Sequence, residues 1–450
     1  MTQPETSCSA SGAAPRFPVR RGACPSLVNP MPTGDGLLVR LRPAAAGLTP
    51  GQWGTLADLA RTFGNGLLDV TARGNLQIRG LAHQDAAQQL SAELSRAGIE
   101  IRSGTAVETP PLAGLDCAEV ADASGLADQI RDAIRQHTPA LALAPKLAIT
   151  VNGGGLFNLS DAISDLRLDA VRHGGQVLWR IALAGDARTA RPVALVDEAQ
   201  AVSHVIALLE LLHAQGSASR GRDIAALVPA LDEACFPAEL TAGPVNPAGV
   251  IRNGSSAVLG LRLAFGRMHA GELESLMAGL SGLGATQVRL APDHALLVLG
   301  LPDGAIPAAA RLAAEQGFIT RPDDPMNSVS ACPGTGFCAA GRLDTQELAG
   351  LLASQAPDLL DGSCTVHLSG CTKGCAHPSP APLTVTGTDA GLRIVLAGRA
   401  GDAADLNISL EEFRALLPAL QQGIAQHRQA GQTAAQALSL SGAAIFGMAP

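Results

Sequence analysis

ACPGTGFCAA (Ala331–Ala340) and SGCTKGCAHP (Ser369–Pro378) present four cysteines as two close pairs. Five residues separate Cys332 from Cys338 and three separate Cys371 from Cys375, with a 32-residue excursion between the pairs. Soft thiolates suit iron–sulfur ligation, and four delivered this way can hold a cubane [4Fe–4S] cluster. Pro333, Gly334 and Gly336 lie inside the first pair, and Gly370 and Gly374 border the second pair's cysteines. Small residues let the backbone fold around a bulky group. Three plainer readings compete. Buried free cysteines are ordinary core residues, and with nine in the chain scattered thiols are the default. Structural zinc uses pairs with roughly two to four intervening residues, which suits Cys371 and Cys375 but not Cys332 and Cys338. Disulfides need an oxidising compartment, and the N-terminus shows no apolar block behind a basic start that would direct export. Cys364 has no close partner and reads as structural; Cys24 reads as an incidental thiol.

Outward from these pairs, 450 residues exceed one ordinary core and call for several domains. A net charge of −8 argues against a general nucleic-acid binder. With no Tyr, two Trp and nine Phe, few rings exist for a base-stacking surface. No long charge-free apolar run marks a membrane span. A cytoplasmic monomer without membrane or nucleic-acid partners is expected.

An internal repeat organises the remainder. Leu37–Leu41 reads as a strand, a helix follows from Thr49 or Pro50 to Phe63, and Leu67–Thr71 and Asn75–Ile78 return to extended alternation. The same order recurs 220 residues later as Val258–Leu263, Gly271–Leu283, Thr286–Leu290 and Ala295–Leu299. Gly51, Gly64 and Gly80 fall opposite Gly271, Gly284 and Gly300 without a gap. Pairing two such units about a pseudo-twofold axis removes an exposed sheet face or edge. A weaker repeat sets strands Leu147–Val151 and Val177–Ala184 against Pro382–Thr386 and Leu392–Ala397, with Arg180 and Arg393 at equivalent places in RIALAG and RIVLAG. Helices are expected over Ser124–His137 and Glu198–His213, and Phe236–Gly249 links the halves. Ser409 and Glu412 read as a capping box.

The first repeat is symmetric with the second in apolar residues but not in polar ones. Strand alternation would put Arg73, Asn75, Gln77 and Arg79 on one face. One reading is a solvated strand face. The other is a preformed site for a multiply anionic ligand, since arginine forks match carboxylates. Arg40, Arg42, Lys146, Arg180, Arg252 and Lys373 are further basic candidates. His367 and His377 flank the second cysteine pair, placed to ligate iron, to move a proton, or simply to hydrogen-bond a loop.

Taken together, the cysteine spacing, SGCTKGCAHP, the TARGNLQIRG stretch (Thr71–Gly80) and the repeat resemble the nitrite/sulfite reductase superfamily over about residues 33 to 425. The resemblance implies an α+β, pseudo-twofold fold in which ferredoxin-like half-domains pair and two larger α/β lobes flank a tetrapyrrole beside the cluster. The implied division is an N-terminal extension (1–33), half-domain 1 (34–85), a tetrapyrrole-binding lobe 1 (86–240), half-domain 2 (241–325), and a cluster-binding lobe 2 with tail (326–450). RRGACPSLVNPMPTGDGLLVRL (Arg20–Leu41) and ACPGTGFCAAGRLDT (Ala331–Thr345) are most similar to the branch acting on precorrin-3A in aerobic cobalamin biosynthesis. That branch implies a monooxygenase using dioxygen, an external electron donor or NADH-dependent reductase, and an additional non-haem iron with His367 and His377 as nominees. Arg40, Arg73, Asn75, Gln77, Arg79, Lys146, Arg180 and Lys373 would then grip substrate, with Lys146 and Arg73 also at the chemistry. The reductases of the superfamily follow PRK closely with a second Lys or Asn. Here Pro145 and Lys146 are followed by Leu147 and Ala148, and a site short of one donor stabilises a small oxyanion poorly. A sirohaem-dependent sulfite or nitrite reductase and an iron–sulfur electron carrier without its own chemistry are the alternatives.

Overall fold

In the computed structural model residues 25–232 and 243–447 are described. Cys24, Arg20 and Arg21 lie outside them, as does part of the Phe236–Gly249 link.

The first half-domain runs β1 (Met31–Thr33), β2 (Gly36–Leu41), α1 (Pro50–Phe63), β3 (Leu67–Val70), β4 (Leu76–Leu81) and α2 (Gln84–Arg96). Thr49 opens α1 with a reciprocal capping box to Gln52, and Pro50 supplies the preset φ of a first helical position. Trp53, Leu56, Ala57 and Ala60 form the helix's buried stripe against an antiparallel sheet of order β1-β2-β4-β3.

Lobe 1 follows: β5 (Ala106–Glu108), α3 (Ala123–Gln136), β6 (Ala148–Asn152), β7 (Ser164–His173), β8 (Gln176–Gly185), β9 (Arg191–Val196), α4 (Glu198–Gln215) and the short α5 (Gly221–Ile224). Its sheet is ordered β5-β6-β7-β8-β9, parallel from β5 to β7 and antiparallel beyond. One face carries Ile149, Val151, Leu166, Leu168 and Ile181 into an apolar core shared with α3 and α4.

The second half-domain repeats the first as β10 (Gly249–Asn253), β11 (Ser256–Leu263), β12 (Arg267–His269), α6 (Ala270–Gly282), β13 (Gln287–Ala291), β14 (Ala295–Leu299), α7 (Ile306–Glu315) and β15 (Phe318–Ile319). The two halves interlock. Met268 of β12 pairs with Leu68 of β3, and Leu48 bridges Val288 of β13, so each contact is the other displaced by 220 residues. Helices α1 and α6 pack together, and one apolar core runs through both half-domains. Gly80 and Gly300 occupy equivalent left-handed positions (φ 74° and 82°), where an added Cβ would strike the side chains of Asn65 and Thr286. Gly80→Ala is expected to cost about 1–2 kcal/mol in a urea titration, and Gly300→Ala a similar amount.

Lobe 2 closes the chain with β16 (Val329–Ala331), α8 (Thr345–Gln355), β17 (Val366–Ser369), β18 (Ala381–Thr388), β19 (Gly391–Gly398), β20 (Leu406–Ile408), α9 (Leu410–Gln429) and α10 (Ala434–Ile445). The Ser409–Glu412 capping box starts α9. The sheet β16-β17-β18-β19-β20 has the same parallel-then-antiparallel pattern as lobe 1. Arg180 pairs with Asp169 in the ladder as Arg393 pairs with Thr386, and Ala184 and Ala397 share a positive φ (56° and 50°). Their equivalence therefore holds. The earlier strands do not match as expected, however. Leu147–Val151 belongs to β6, whose counterpart is β17, whereas Pro382–Thr386 lies in β18, the counterpart of β7. The strand β7 escaped the apolar pattern because Asp165, Arg167 and Asp169 sit buried on one of its faces.

Candidate functional site

The lobe-2 sheet turns Ser330, His367, Ser369, Thr384 and Thr386 away from its helices, and the two cysteine loops start from that polar edge. The Cys332 amide donates to the Leu368 carbonyl at 3.2 Å, and the Gly370 amide donates to Cys332 Sγ at 3.0 Å. Thr345 Oγ1 donates to the Cys332 carbonyl at 2.5 Å, and Ser369 Oγ to that of Cys371 at 2.6 Å. These bonds bring together pairs that are 32 residues apart in sequence. Burial pushes the Cys375 thiol up, and so does the company of Cys371, Cys332 and Cys338, which Lys373 partly offsets. All four are free, so the disulfide reading fails.

Beneath this loop His367 is fully buried with neither ring nitrogen partnered, and its edge approaches Gly374. Burial, with His377 adding to it, pushes the imidazole down to about 4, so the ring is neutral and holds one N–H donor. A buried orphan donor of this kind calls for an acceptor that protein atoms do not supply. An iron–sulfur cluster offers such acceptors, and the donor set fits it. Among the described residues no three His, Cys, Asp or Glu converge as a single metal ion requires. His367 and His377 lie 5.7 Å apart between ring centroids, and among the described residues no further His, Cys, Asp or Glu joins them as a mononuclear iron site would need.

Phe337, the neighbour of Cys338, docks this loop onto the half-domains. Its carbonyl accepts from Arg79 Nη2 at 2.9 Å, and its ring lies 4.1 Å beneath the Arg267 guanidinium. Asp69 ties those arginines together, accepting from Arg267 Nε at 2.8 Å and Arg79 Nη1 at 3.1 Å, while Asp35 takes Arg79 at 2.8 and 2.9 Å. Although burial raises it, hydrogen bonding and charge from Arg79 hold the Asp35 carboxyl below the usual range.

The strand alternation expected from Arg73 to Arg79 breaks at Leu76, where β4 begins. Gln77 and Arg79 stay on one buried face, with Arg79 held by carboxylates and Gln77 oriented to accept from Arg40 at 3.0 and 3.2 Å. Arg73 and Asn75 instead sit in the β3–β4 turn and line a cavity of about 1340 Å³. Asp293, the counterpart of Arg73 in the β13–β14 turn, lines it too, so one repeat offers a cation where the other offers an acid.

That cavity lies between both half-domains and lobe 1, and exceeds the roughly 300–1,000 Å³ of a small-molecule pocket. Its lobe-1 wall, Phe157 to Ile163, is held by Arg167, which is inaccessible to solvent: its guanidinium donates to the carbonyls of Ala162 and Leu159 and forks onto Asp169. The wall contains none of the four cysteines. The β3–β4 hairpin connects the two places, with its turn in the cavity and Arg79 on the cysteine loop. Four residues of strand from Asn75 to Arg79 span about 13 Å.

The other nominated residues lie apart. Arg180 is buried against Asp169 (3.5 Å) and the Ala187 carbonyl, Arg252 pairs with Asp303, and Lys146 is exposed ahead of β6. Lys373 is exposed on the cysteine loop, away from the cavity lining. Cys364 packs into the lobe-2 core, where burial pushes its thiol up to about 11, an inert structural thiol.

Three cavity residues were not singled out in the sequence. Arg102 and Arg131 approach the same Asp128, and Glu108 closes β5. A finer comparison of the lobes would have found the last. The β5–β6 and β16–β17 registers put Glu108 where lobe 2 has Ser330, two residues before Cys332.

Comparison with known proteins matches residues 29–96 to the nitrite/sulfite reductase ferredoxin-like half domain. A precorrin-3B synthase of Sinorhizobium sp is 40% identical, covering 99% of this chain and 98% of its own. The assimilatory ferredoxin-dependent nitrite reductase of Haloferax mediterranei is 23% identical, covering 90% and 82%. The Mycobacterium tuberculosis NirA structure superposes with a TM-score of 0.69 over 89% of this chain and 83% of its own, at 18% identity, a likeness of fold.

Proposed function

Because the chain belongs to the precorrin-3B synthase family, within the nitrite/sulfite reductase superfamily, we propose that it converts precorrin-3A to precorrin-3B in aerobic cobalamin biosynthesis. The observation that carries this reading is 40% identity sustained over 99% of the chain. The reaction hydroxylates the macrocycle at C20 and closes a γ-lactone from the ring A acetate. One atom of dioxygen enters the product and the other leaves as water, with two electrons from an external donor.

The cavity between the half-domains and lobe 1 is the macrocycle site in this proposal. Its volume suits a tetrapyrrole, and its guanidinium groups suit acetate and propionate arms. Arg73 and Asn75 hold arms at the β3–β4 turn, and Arg42, Arg102 and Arg131 form a second basic wall. Burial, with Arg131 and Arg42 adding to it, depresses Arg102, so an entering carboxylate relieves a local excess of positive charge. Arg79 and Arg180, with their carboxylate partners, hold the fold rather than the ligand. Fixing the ring A acetate near its target carbon gives a proximity advantage of up to roughly 7–11 kcal/mol in well-oriented cases.

Cys332, Cys338, Cys371 and Cys375 would hold a [4Fe–4S] cluster, which when bound would supply single electrons. The buried His367 ring would offer that group its unpartnered N–H. Where reductases of the superfamily carry Lys or Asn, this chain has Ala148, which offers a small oxyanion no polar group.

The test is anaerobic purification with iron and sulfide analysis, then an assay of precorrin-3A with dioxygen and a reductant. Oxygen-dependent formation of the lactone supports the proposal; sirohaem with sulfite or nitrite turnover replaces it. Arg73→Ala is expected to weaken macrocycle binding about tenfold, the loss of one charge-assisted contact, while leaving the urea midpoint unchanged. A fallen midpoint with unaltered affinity would make Arg73 structural.

A further inference from the structure

Glu108 occupies the last position of β5, the edge strand of the lobe-1 sheet facing the half-domains, and lines the cavity. In the parallel ladder it lies beside Thr150, which in turn lies beside Arg167. Arg167 is engaged by Asp169 and two carbonyls, and Thr150 Oγ1 is buried without a partner. Nothing on its own sheet therefore claims the Glu108 carboxyl. Among the described residues it takes part in no hydrogen bond and no ion pair; its contacts with charge are the longer-range fields of Arg73, Arg42 and Arg40.

Those groups are aimed elsewhere. Arg73 Nη2 donates to the Ile163 carbonyl at 2.9 Å, Arg42 Nη2 to that of Gly104 at 2.6 Å, and Arg40 to Gln77. From α3, Arg131 donates to the Val107 carbonyl next door and pairs with Asp128. A carboxyl this close to several cations, yet bonded to none, is not placed there to neutralise them.

We infer that the Glu108 carboxyl is a hydrogen-bond donor to a carboxylate arm of the bound polyacid, selecting which arm lies between β5 and the β3–β4 turn. The inference rests on the cavity being the macrocycle site. Burial raises the Glu108 pKa more than Arg73, Arg42 and Arg40 lower it, so the group keeps its proton more readily than an ordinary glutamate. A protonated acid donates to an anion and leaves the guanidinium charge available to it; an ionised one would repel the arm and compete for that charge. An acceptor carboxylate then favours the protonated form further. The complex therefore binds a proton, and affinity falls as pH rises through the ionisation of Glu108. The ligand's own carboxylates are already ionised near neutrality and add no slope there.

The experiment titrates the full chain with uroporphyrin III, a polycarboxylate tetrapyrrole, by porphyrin fluorescence from about pH 6 to 9. Parent protein is expected to bind about tenfold more weakly once Glu108 has ionised than while it holds its proton. Glu108→Gln, which keeps an N–H donor at every pH, is expected to bind at the parent's low-pH affinity without slope. Glu108→Leu is expected to bind about tenfold more weakly at low pH, also without slope. A Gln variant that keeps the parent's slope, or a Leu variant that matches the parent at low pH, overturns the inference while macrocycle binding stands. Parent protein that binds no porphyrin at any pH overturns the reading of the cavity as well.

Discussion

Cys375→Ser protein, purified anaerobically, is expected to retain less than about a tenth of the parent's iron and acid-labile sulfide and to lose its broad visible absorption. The hydroxyl that serine would offer is far less acidic than a thiol, and its alkoxide is a harder ligand than a thiolate. Cys375 is also the most exposed of the four, so solvent reaches the weakened corner first. Cys364→Ser is the matched control, because that thiol lies in the lobe-2 core with its ionisation pushed up to about 11. Its iron content should equal the parent's. Unchanged iron in Cys375→Ser would remove that residue from the ligand set. Circular dichroism is the check that each variant is folded.

Arg79→Ala is expected to lower stability by about 3–5 kcal/mol in urea titration, the cost of leaving buried carboxylates without their cation. Asp35 and Asp69 would both lose a partner, and Arg267 would hold Asp69 alone. Because Arg79 also holds the Phe337 carbonyl beside Cys338, the variant should lose cluster on dilution faster than the parent. Lysine cannot rescue it, since one ammonium does not reproduce a fork shared between two carboxylates and a carbonyl. The pH dependence has a definite sign. Asp35 ionises in the fold below its usual range, so its contribution is complete above the unfolded carboxylate pKa and disappears as pH falls through the depressed value. In Arg79→Ala that acid-side loss should vanish, and a variant as acid-sensitive as the parent would place the effect elsewhere.

What could be read in advance was whatever repeats. Ala295–Leu299 was expected as a strand and is one with those bounds, because five apolar residues between turns admit little else. Thr49, Pro50 and Gln52 announced α1 through local chemistry alone. The cysteine pairs stood out because their spacings are short, and lobe 2 brings the two pairs together through the Gly370 amide and Cys332 Sγ. Arg79 was not, because its partners Asp35 and Asp69 lie on other strands, and a one-dimensional pattern does not distinguish a claimed charge from an available one. Strand alternation does not reach back from β4 to Arg73, because Gly74, with a φ of 71°, turns the chain. Strand β7 and Glu108 were missed for a shared reason. Both carry charge in segments whose burial comes from packing between distant parts.

The exchanged ladder contacts, Met268 to Leu68 and Leu48 to Val288, bear on how this polypeptide is made. Neither half can complete its hydrogen bonding from its own residues. During synthesis an entire lobe is translated while β3 waits with an open margin for a strand some 200 residues downstream, and pairings that distant close slowly. Nascent chains stalled before Arg267 should therefore recruit chaperones or self-associate through that margin, and release should follow once the second unit emerges.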